Sequence, residues 1–235
     1  MEKLDVVYIV KPTTRNEELR YSVRSVVKNF PYRNIIFVSG CPEDMSPDGY
    51  IPIAQHGSNK WKRTTTTLHN VCLDSSITED FWLFNDDFFV MKQIKKLDPI
   101  YHGTLEDRVK EIKKGTGNMG MYAFRLKQTA LVLKSKGYST YNYAVHIPML
   151  VNKQKALETM LQFPNEYMFR SLYGNYCSVG GRNQKDVKVN IIRGKEQKWD
   201  KRRRFLSTSN DSFSNGTVGV YIRTCFTEPS PYEIP

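Results

Sequence analysis

The chain has 235 residues, 40% of them hydrophobic and 25% charged, with 35 Lys and Arg against 24 Asp and Glu, giving a formal net charge of +11. This composition excludes a disordered or collagen-like chain, and the length suits one globular domain with a sizeable core. No apolar run reaches the roughly 18 residues of a membrane-spanning helix. The first residues are also unlike a signal peptide, so we expect a soluble, cytoplasmic protein without a membrane span.

Apolar runs alternate with helical repeats along the first part of the chain. Asp5–Val10 and Asn34–Ser39 are β-branched runs typical of buried strands, and the segment between them repeats apolar residues at helical spacing after a possible cap at Asn16. A second helix is predicted over about 64–74, and a strand over 81–84. This order predicts an α/β fold with a mostly parallel, Rossmann-type sheet flanked by helices.

The second part of the chain is less regular. Helices are predicted over about 105–114, 123–136 and 153–163, separated by turns and loops, which indicates a smaller irregular C-terminal lobe. Residues 182–204 contain ten Lys and Arg against three Asp and Glu, so this segment holds seven of the eleven net positive charges. The basic character of the chain is therefore concentrated in one place.

The strongest local motif is Asn85-Asp86-Asp87, directly after an apolar strand. Two adjacent carboxylates at the mouth of an α/β sheet supply the hard oxygen ligands that a divalent cation prefers, and such a cation neutralises a diphosphate. A solvated turn accounts for the same pair without any function. The motif alone leaves both interpretations open.

Five blocks of sequence, in order along the chain, together resemble one family. The blocks are RNEELRYSVRS at 15–25 with YRNIIFV at 32–38, FNDDFF at 84–89, YAVHIPM at 143–149, FRS at 169–171, and RFLSTSNDSF at 204–213. They resemble the Stealth family of sugar-phosphate transferases of capsular polysaccharide synthesis, which includes the lysosomal-enzyme N-acetylglucosamine phosphotransferase. One departure is Val10-Lys11-Pro12, where the family usually has a Trp-Val-Asp stretch.

The resemblance implies a single GT-A-like domain over residues 1–235 and a metal-dependent transferase that uses a nucleotide-diphosphate sugar, with a UDP-sugar as the expected donor. Residues 1–100 would bind the donor and residues 101–235 the acceptor. The implied catalytic residues are Asp86, His146, Arg170 and Asp211, the implied donor contacts are Arg15, Arg20 and Asn85, and the implied ligands of Mg²⁺ or Mn²⁺ are Asp87 and His146. Either the sugar or the sugar phosphate would be transferred to an acceptor hydroxyl.

Several of these residues also have a purely structural interpretation. Arg15 could pair with Glu17 or Glu18 on the surface, as an arginine at a helix start commonly does. His146 could be a buried histidine with one hydrogen bond, and Asp211 could form an Asx turn. The residue types do not separate these alternatives from the functional ones.

The basic segment predicts the kind of acceptor. Lys and Arg contacts give sequence-independent affinity for phosphates, so we expect a polyanion such as DNA with a hydroxymethylated base, or a teichoic-acid-like polymer, bound through Arg202, Arg203 and Arg204. The flat rings of Trp61, Tyr138, Tyr141 and Tyr143 are candidates for an acceptor shelf. The short chain suits a phage-like enzyme. The alternatives are a sugar-phosphate transferase of capsular or wall polysaccharide synthesis, a non-catalytic nucleic-acid-binding protein on a degenerate transferase fold, and a metal-dependent nuclease.

Overall fold

The computed structural model describes residues 1–55, 59–116, 120–164 and 168–234, and these ranges contain eight helices and twelve strands. The helices are α1 (Glu17–Asn29), α2 (Lys60–Leu73), α3 (Leu105–Thr116), α4 (Met121–Ser135), α5 (Lys153–Gln162), α6 (Phe169–Tyr176), α7 (Asn210–Asn215) and α8 (Thr217–Cys225). The strands are β1 (Leu4–Val10), β2 (Tyr32–Ser39), β3 (Gly49–Ile51), β4 (Asp80–Phe84), β5 (Phe88–Val90), β6 (Ile100–Tyr101), β7 (Met149–Asn152), β8 (Arg182–Asn183), β9 (Lys188–Val189), β10 (Ile191–Ile192), β11 (Lys195–Glu196) and β12 (Phe205–Thr208). None of the described helices combines the length and the apolar character needed to cross a bilayer.

The central sheet has five strands in the order β3-β2-β1-β4-β7. β1 is parallel to both of its neighbours, with Val7 opposite Ile36 and Leu83, and only the edge strand β7 runs antiparallel, against β4. Val6 and Val7, which point to opposite faces, are both fully buried because helices cover the sheet on both sides. The predicted α/β class and mostly parallel sheet are confirmed.

Helix α1 follows β1 as predicted. Asn16 caps it, because its Oδ1 accepts a hydrogen bond from the amide of Leu19. The apolar face then buries Leu19, Val23 and Val26 against the sheet, and the helix ends before the extended residue Phe30. The N-cap at Asn16 and the apolar face therefore account for the start and the orientation of α1.

Helix α2 begins four residues before the predicted start at Thr64. Asn59 caps it, accepting hydrogen bonds from the amides of Trp61 and Lys62. The threonines at 64–67 lie inside the helix, and the Thr64 hydroxyl donates to the carbonyl oxygen of Lys60 at 2.9 Å. The prediction was wrong here because the cap outweighs the low helix propensity of a threonine run.

A second sheet of three strands, in the order β5-β12-β9, joins distant parts of the chain. β12 is antiparallel to β5 and parallel to β9, and its four residues are all buried. β12 pairs with β5, and β7 pairs with β4, so both sheets contain strands from before residue 100 and from after residue 101. The two halves suggested by the sequence are thus interleaved through both sheets.

The extended segment 143–147 is held firmly against helix α6. The amide of Tyr143 donates to Ser171 Oγ at 3.1 Å, and its hydroxyl donates to the carbonyl oxygen of Gly180 at 2.7 Å. A Cβ atom at Gly174 would overlap the Tyr143 ring, so the absence of a side chain there permits this contact. The position of His146, three residues after Tyr143, depends on this packing.

The segment 226–234 lies across helix α1. Arg24 Nε donates to Glu233 Oε1 at 2.7 Å, Arg24 Nη2 donates to the other carboxylate oxygen, and Nη1 donates to the carbonyl oxygen of Phe226 at 2.9 Å. Both side chains of the ion pair are only 10% exposed. The amide of Ser46 also donates to the carbonyl oxygen of Tyr232, which ties the same segment to the loop after β2.

Candidate active site

A cleft of about 470 Å³ opens at the carboxyl ends of β1 and β4, where ligands commonly bind in parallel α/β sheets. Ile9 of β1 and Leu83 of β4 form part of its floor, and helices α2, α3, α4 and α6 contribute its walls. The polar and aromatic side chains that line it include Trp61, Asn85, Asp86, Arg108, Tyr122, His146 and Arg170. Four of the sequence-predicted site residues, Asn85, Asp86, His146 and Arg170, therefore meet in one cavity.

His146 is held by Asp186 through two contacts. The ring Nδ1 lies 2.7 Å from Asp186 Oδ2, and the His146 amide donates to Oδ1 at 2.9 Å. Burial alone would raise the pKa of Asp186, but the hydrogen bonds and charge of His146 lower it well below its ordinary value. Asp186 stands 40 residues away inside the basic segment, and no motif marked it in the sequence. No described residue makes a hydrogen bond to His146 Nε2, which leaves that nitrogen available to a ligand.

The two carboxylates of the Asn-Asp-Asp motif have different surroundings. Asp86 lines the cleft, and its Oδ2 accepts a hydrogen bond from Asn16 Nδ2 at 2.8 Å. Burial, together with the charge of Asp87, raises the pKa of Asp86. Asp87 is absent from the described cleft lining, and its Oδ2 is paired with Lys188 Nζ at 2.7 Å and Ser207 Oγ at 3.0 Å. Asp86 therefore lines the cleft, whereas one oxygen of the expected metal ligand Asp87 is already paired with Lys188 and Ser207.

Glu18 joins the same group of carboxylates, which sequence reasoning missed. It is 9% exposed, and its Oε1 accepts a hydrogen bond from Thr208 Oγ1 at 2.7 Å. Burial, with smaller contributions from Asp87 and Asp86, raises the pKa of Glu18 to about 7 despite that hydrogen bond. From the sequence, Glu18 was considered only as a possible surface partner of Arg15, because a glutamate in the first turn of a helix usually faces solvent.

Arg170 lines the cleft, but its guanidinium donates hydrogen bonds to backbone carbonyl oxygens of the fold. Its Nη1 donates to the carbonyl oxygens of Val145 and Ile147 at 2.8 and 2.7 Å, and its Nη2 donates to that of Leu83 at 3.1 Å. Burial lowers its pKa to about 10, against the opposing effect of nearby carboxylates, so the group keeps its charge at neutral pH. It also lies 5.2 Å from the Phe88 ring. Arg170 thus fixes strand β4 to the segment that carries His146 while placing a positive charge in the wall.

The expected donor contacts Arg15 and Arg20 are not brought to the described wall of the cleft. Arg15 is exposed. Arg20 lies 3.8 Å from Asp44 and 4.0 Å from Glu233, on the side of α1 that meets the segment 226–234. Both were predicted to contact the donor because they flank the helix start, but neither lines the described part of the cleft.

Asp211 is likewise outside the described cleft lining. It is exposed in the first turn of α7, where it accepts a hydrogen bond from Asn215 Nδ2 at 2.9 Å. Its predicted role as a base or metal ligand is therefore not supported by its position. The capping box of α7, formed by Ser209 and Ser212, accounts for the local sequence.

The cleft also contains two cations that no motif singled out and one ring of the predicted aromatic shelf. Arg108 reaches it from α3, and Lys60 lies with its Nζ 4.9 Å from the Trp61 ring centre. Trp61 is the member of the predicted aromatic shelf that lines the described part of the cleft. The other three are outside the described cleft lining: Tyr138 contacts Phe163 and Tyr176, while Tyr143 and the exposed Tyr141 contact Tyr101.

The fit of the site to a divalent cation rests on two oxygen-bearing groups. Within the described ranges, no three His, Cys, Asp or Glu side chains converge where they could hold a metal ion. Mg²⁺ in phosphate sites is commonly bound by one or two carboxylates plus substrate oxygens, however, and needs no protein cage. Asp86 in the cleft and the buried Asp87 Oδ1, which has no hydrogen-bond partner in the described chain, are ligands of that type. The residues present therefore fit a cation whose shell a phosphate completes.

Comparison with known proteins adds no family assignment: no protein-family model matches the chain, and no curated protein matches it. The resemblance to the Stealth family rests on the residue blocks alone.

Proposed function

We propose that the protein is a transferase that moves a sugar or a sugar phosphate from a nucleotide-diphosphate sugar to an acceptor hydroxyl. The observation that carries this proposal is the cleft at the carboxyl edge of the parallel sheet, in which Asp86 and several cations meet His146, whose ring is held by Asp186. The ordered blocks that resemble the Stealth family support the same chemistry.

The donor end of the cleft is suited to an anionic, partly flat ligand. Lys60 supplies positive charge for a diphosphate, and so does Arg108, one of whose guanidinium nitrogens also donates to Glu111 at 2.8 Å. Trp61 offers a ring face on which a nucleobase or a sugar can stack. When bound, Mg²⁺ or Mn²⁺ held by Asp86 and Asp87 would supply further charge neutralisation of the diphosphate.

His146 is the general base in this proposal. Asp186 binds Nδ1 and fixes the ring, so that Nε2 accepts the proton of the acceptor hydroxyl as the new bond forms. Attack at the anomeric carbon breaks its bond to oxygen, and a nucleoside diphosphate leaves. Attack at the β-phosphorus breaks the bridging P–O bond, and a nucleoside monophosphate leaves. Asp211, exposed beside Asn215, has no part in either reaction.

The test is to identify the nucleotide released. The protein is incubated with Mn²⁺ or Mg²⁺ and a panel of nucleotide-sugars, and the products are separated by anion-exchange chromatography. Without an added acceptor, water accepts the transferred group: a released nucleoside diphosphate indicates that the bond at the anomeric carbon is broken, and a monophosphate indicates that the bond at the β-phosphorus is broken. Release should be lost in His146→Ala and unchanged in His69→Ala, which alters an exposed histidine of α2.

Two outcomes would contradict the proposal. Equal release by the His146→Ala variant would remove the proposed base. Failure of the folded protein to release any nucleotide from any donor would contradict transfer itself and would favour the non-catalytic alternative.

A further inference from the structure

A second cavity, of about 190 Å³, lies behind the segment that carries His146. Val145 lines both cavities, so the segment 145–147 forms a wall between them. The charged side chains that line the second cavity are Arg182, Lys185, Arg203, Arg204, Asp98 and Asp186. Four cations from the basic segment thus converge on one concavity.

The two carboxylates of this cavity already have partners. Asp98 lies 2.8 Å from Arg182 Nη2 and 3.1 Å from Lys96 Nζ, and these contacts, led by the hydrogen bond with Lys96, lower its pKa. Asp186 directs its carboxylate to His146. Among the described residues, neither acid forms a salt bridge within 4.0 Å with Lys185, Arg203 or Arg204.

Three of the cations have no carboxylate partner among the described residues. Lys185 is exposed, and the two arginines donate to backbone carbonyl oxygens, Arg203 to that of Asp186 at 2.9 Å and Arg204 to that of Lys96 at 2.6 Å. A carbonyl orients a guanidinium without neutralising it. The cavity consequently presents positively charged groups, held in place by the fold, to an anion that enters it.

The shape of the cavity indicates what kind of anion it accepts. A nucleic-acid backbone needs cations spread in a row along successive phosphates, whereas here they surround one small concavity. Arg202, which the sequence grouped with its two neighbours, is outside the described lining of the cavity. It is 87% exposed and pairs with Asp200.

We propose that this cavity binds a single phosphate group carried by the acceptor, a role that rests on the proposed transferase function. Arg203 links it to the base, because the guanidinium holds the backbone carbonyl of Asp186, the residue whose carboxylate holds His146. In this proposal the acceptor binds with its phosphate in the cavity and extends past the segment 145–147, so that its hydroxyl lies on the His146 side of that segment. The substrate class is therefore a phosphorylated or phosphodiester-linked hydroxyl compound.

Binding is tested with inorganic phosphate by isothermal titration calorimetry at low ionic strength. The double variant Lys185→Gln/Arg204→Gln should raise the dissociation constant at least tenfold, because the loss of one charge-assisted hydrogen bond alone has about that effect and two cations are removed. Both side chains are exposed, so the fold should be retained. The matched control Arg202→Gln should leave the constant unchanged. Equal weakening by the control, or no weakening by the double variant, would overturn the proposal.

A second experiment distinguishes a pocket for a single phosphate group from a surface that binds nucleic acid. A duplex DNA oligonucleotide should compete with inorganic phosphate no better than its phosphate concentration predicts. Tight duplex binding that Arg202→Gln weakens as much as the double variant would replace the single-phosphate pocket with a nucleic-acid surface.

The phosphate-binding proposal and the transferase proposal can be contradicted separately. Release of nucleotide from the donor to water, without an acceptor, should be unchanged in Lys185→Gln/Arg204→Gln, while His146→Ala should abolish it and leave phosphate binding intact. Release without phosphate binding would overturn the pocket alone. Phosphate binding without any release would overturn the transferase function, and the acceptor role with it.

Discussion

His146 and Asp186 are joined at two points, ring to carboxylate and amide to carboxylate, across 40 residues of sequence. The double contact fixes the ring and the backbone of the histidine together, and it leaves Nε2 without a hydrogen-bond partner in the described chain. Because its pKa is strongly lowered, Asp186 stays ionised at neutral pH, so it stabilises the protonated ring formed during proton transfer. Asp186 is accordingly a positioning residue for the proposed base.

Replacing Asp186 with Asn tests this role. The amide cannot stabilise a protonated imidazole and favours the wrong tautomer, so nucleotide release should fall by about a hundredfold or more. The apparent affinity for the donor should change little, because Asp186 does not line the donor cleft. Steady-state kinetics at pH 7 separates the two effects. The control is Asp200→Asn, which removes an exposed carboxylate paired with Arg202. Equal rates for the two variants would contradict the prediction.

Glu18 makes the stability of the protein depend on pH. Its pKa is about 7 in the fold, against an ordinary value of 4.5, so the folded state binds a proton more tightly than the unfolded chain does. Stability from this group is fully present below about pH 4.5 and is lost as the pH rises through about 7, by up to about 3 kcal/mol. Glu18→Gln keeps the oxygen that accepts from Thr208 and should remove this part of the pH dependence.

The measurement is the free energy of unfolding in urea at pH 5 and pH 8. The difference between the two pH values should be smaller in Glu18→Gln than in the wild type, while the exposed neighbour Glu17→Gln should match the wild type. A Glu18→Gln variant with the wild-type pH profile would show that the buried carboxyl does not titrate in this range.

Gly174 supports the segment that carries His146. An added methyl group would overlap the Tyr143 ring, and over-packing of this kind typically costs about 1–3 kcal/mol. We therefore expect Gly174→Ala to lower the melting temperature and to reduce nucleotide release as the segment shifts. The matched control is Gly115→Ala in α3, where the new Cβ atom meets nothing within 4 Å and should stabilise the helix slightly. If both variants were equally stable, the close contact would have no energetic importance.

The ion pair between Arg24 and Glu233 is the main attachment of the segment 226–234 to helix α1. Because both side chains are 10% exposed, Arg24→Ala leaves a largely buried carboxylate without its partner and should cost about 3 kcal/mol. Arg24 also lowers the pKa of Glu233, so this stabilisation is present at neutral pH and is lost as the pH falls below the ordinary range of a glutamate. Urea unfolding measures both effects. Arg202→Ala, which alters an 87% exposed arginine paired with a 42% exposed aspartate, should leave the free energy of unfolding nearly unchanged.

The local elements of the fold could be predicted from the sequence because their signals are local. The strands near residues 5–10 and 34–39 and the helix between them follow from apolar periodicity and the cap at Asn16. The second helix was misplaced because a capping asparagine before a basic, threonine-rich stretch has no strong apolar signal. Capping residues and apolar periodicity are thus enough to predict which helices and strands form, although not always the residue at which a helix begins.

The partners within the site could not be predicted in the same way. Asp186 reaches His146 over 40 residues, Lys188 reaches Asp87 over 101, and these pairings depend on how the second sheet is placed, which no short pattern encodes. The sequence did identify four residues that line the cleft, because each stands at the end of a strand or in a recognisable block: Asn85, Asp86, His146 and Arg170. Asp211 shows the opposite case, a motif residue whose helix turns it into solvent.

The contact between Thr208 and Glu18 spans 190 residues, and it has a consequence for how the protein is made. As the chain leaves the ribosome, α1 and the Asp86-Asp87 turn emerge long before β12 supplies Ser207 and Thr208. Until then Glu18 and Asp87 lack hydrogen bonds that they have in the native state, and an acidic cluster without them resists burial. Contacts of such long range also slow folding. The candidate site is therefore among the last parts of the molecule to form, and a nascent chain that stops before residue 205 cannot complete it.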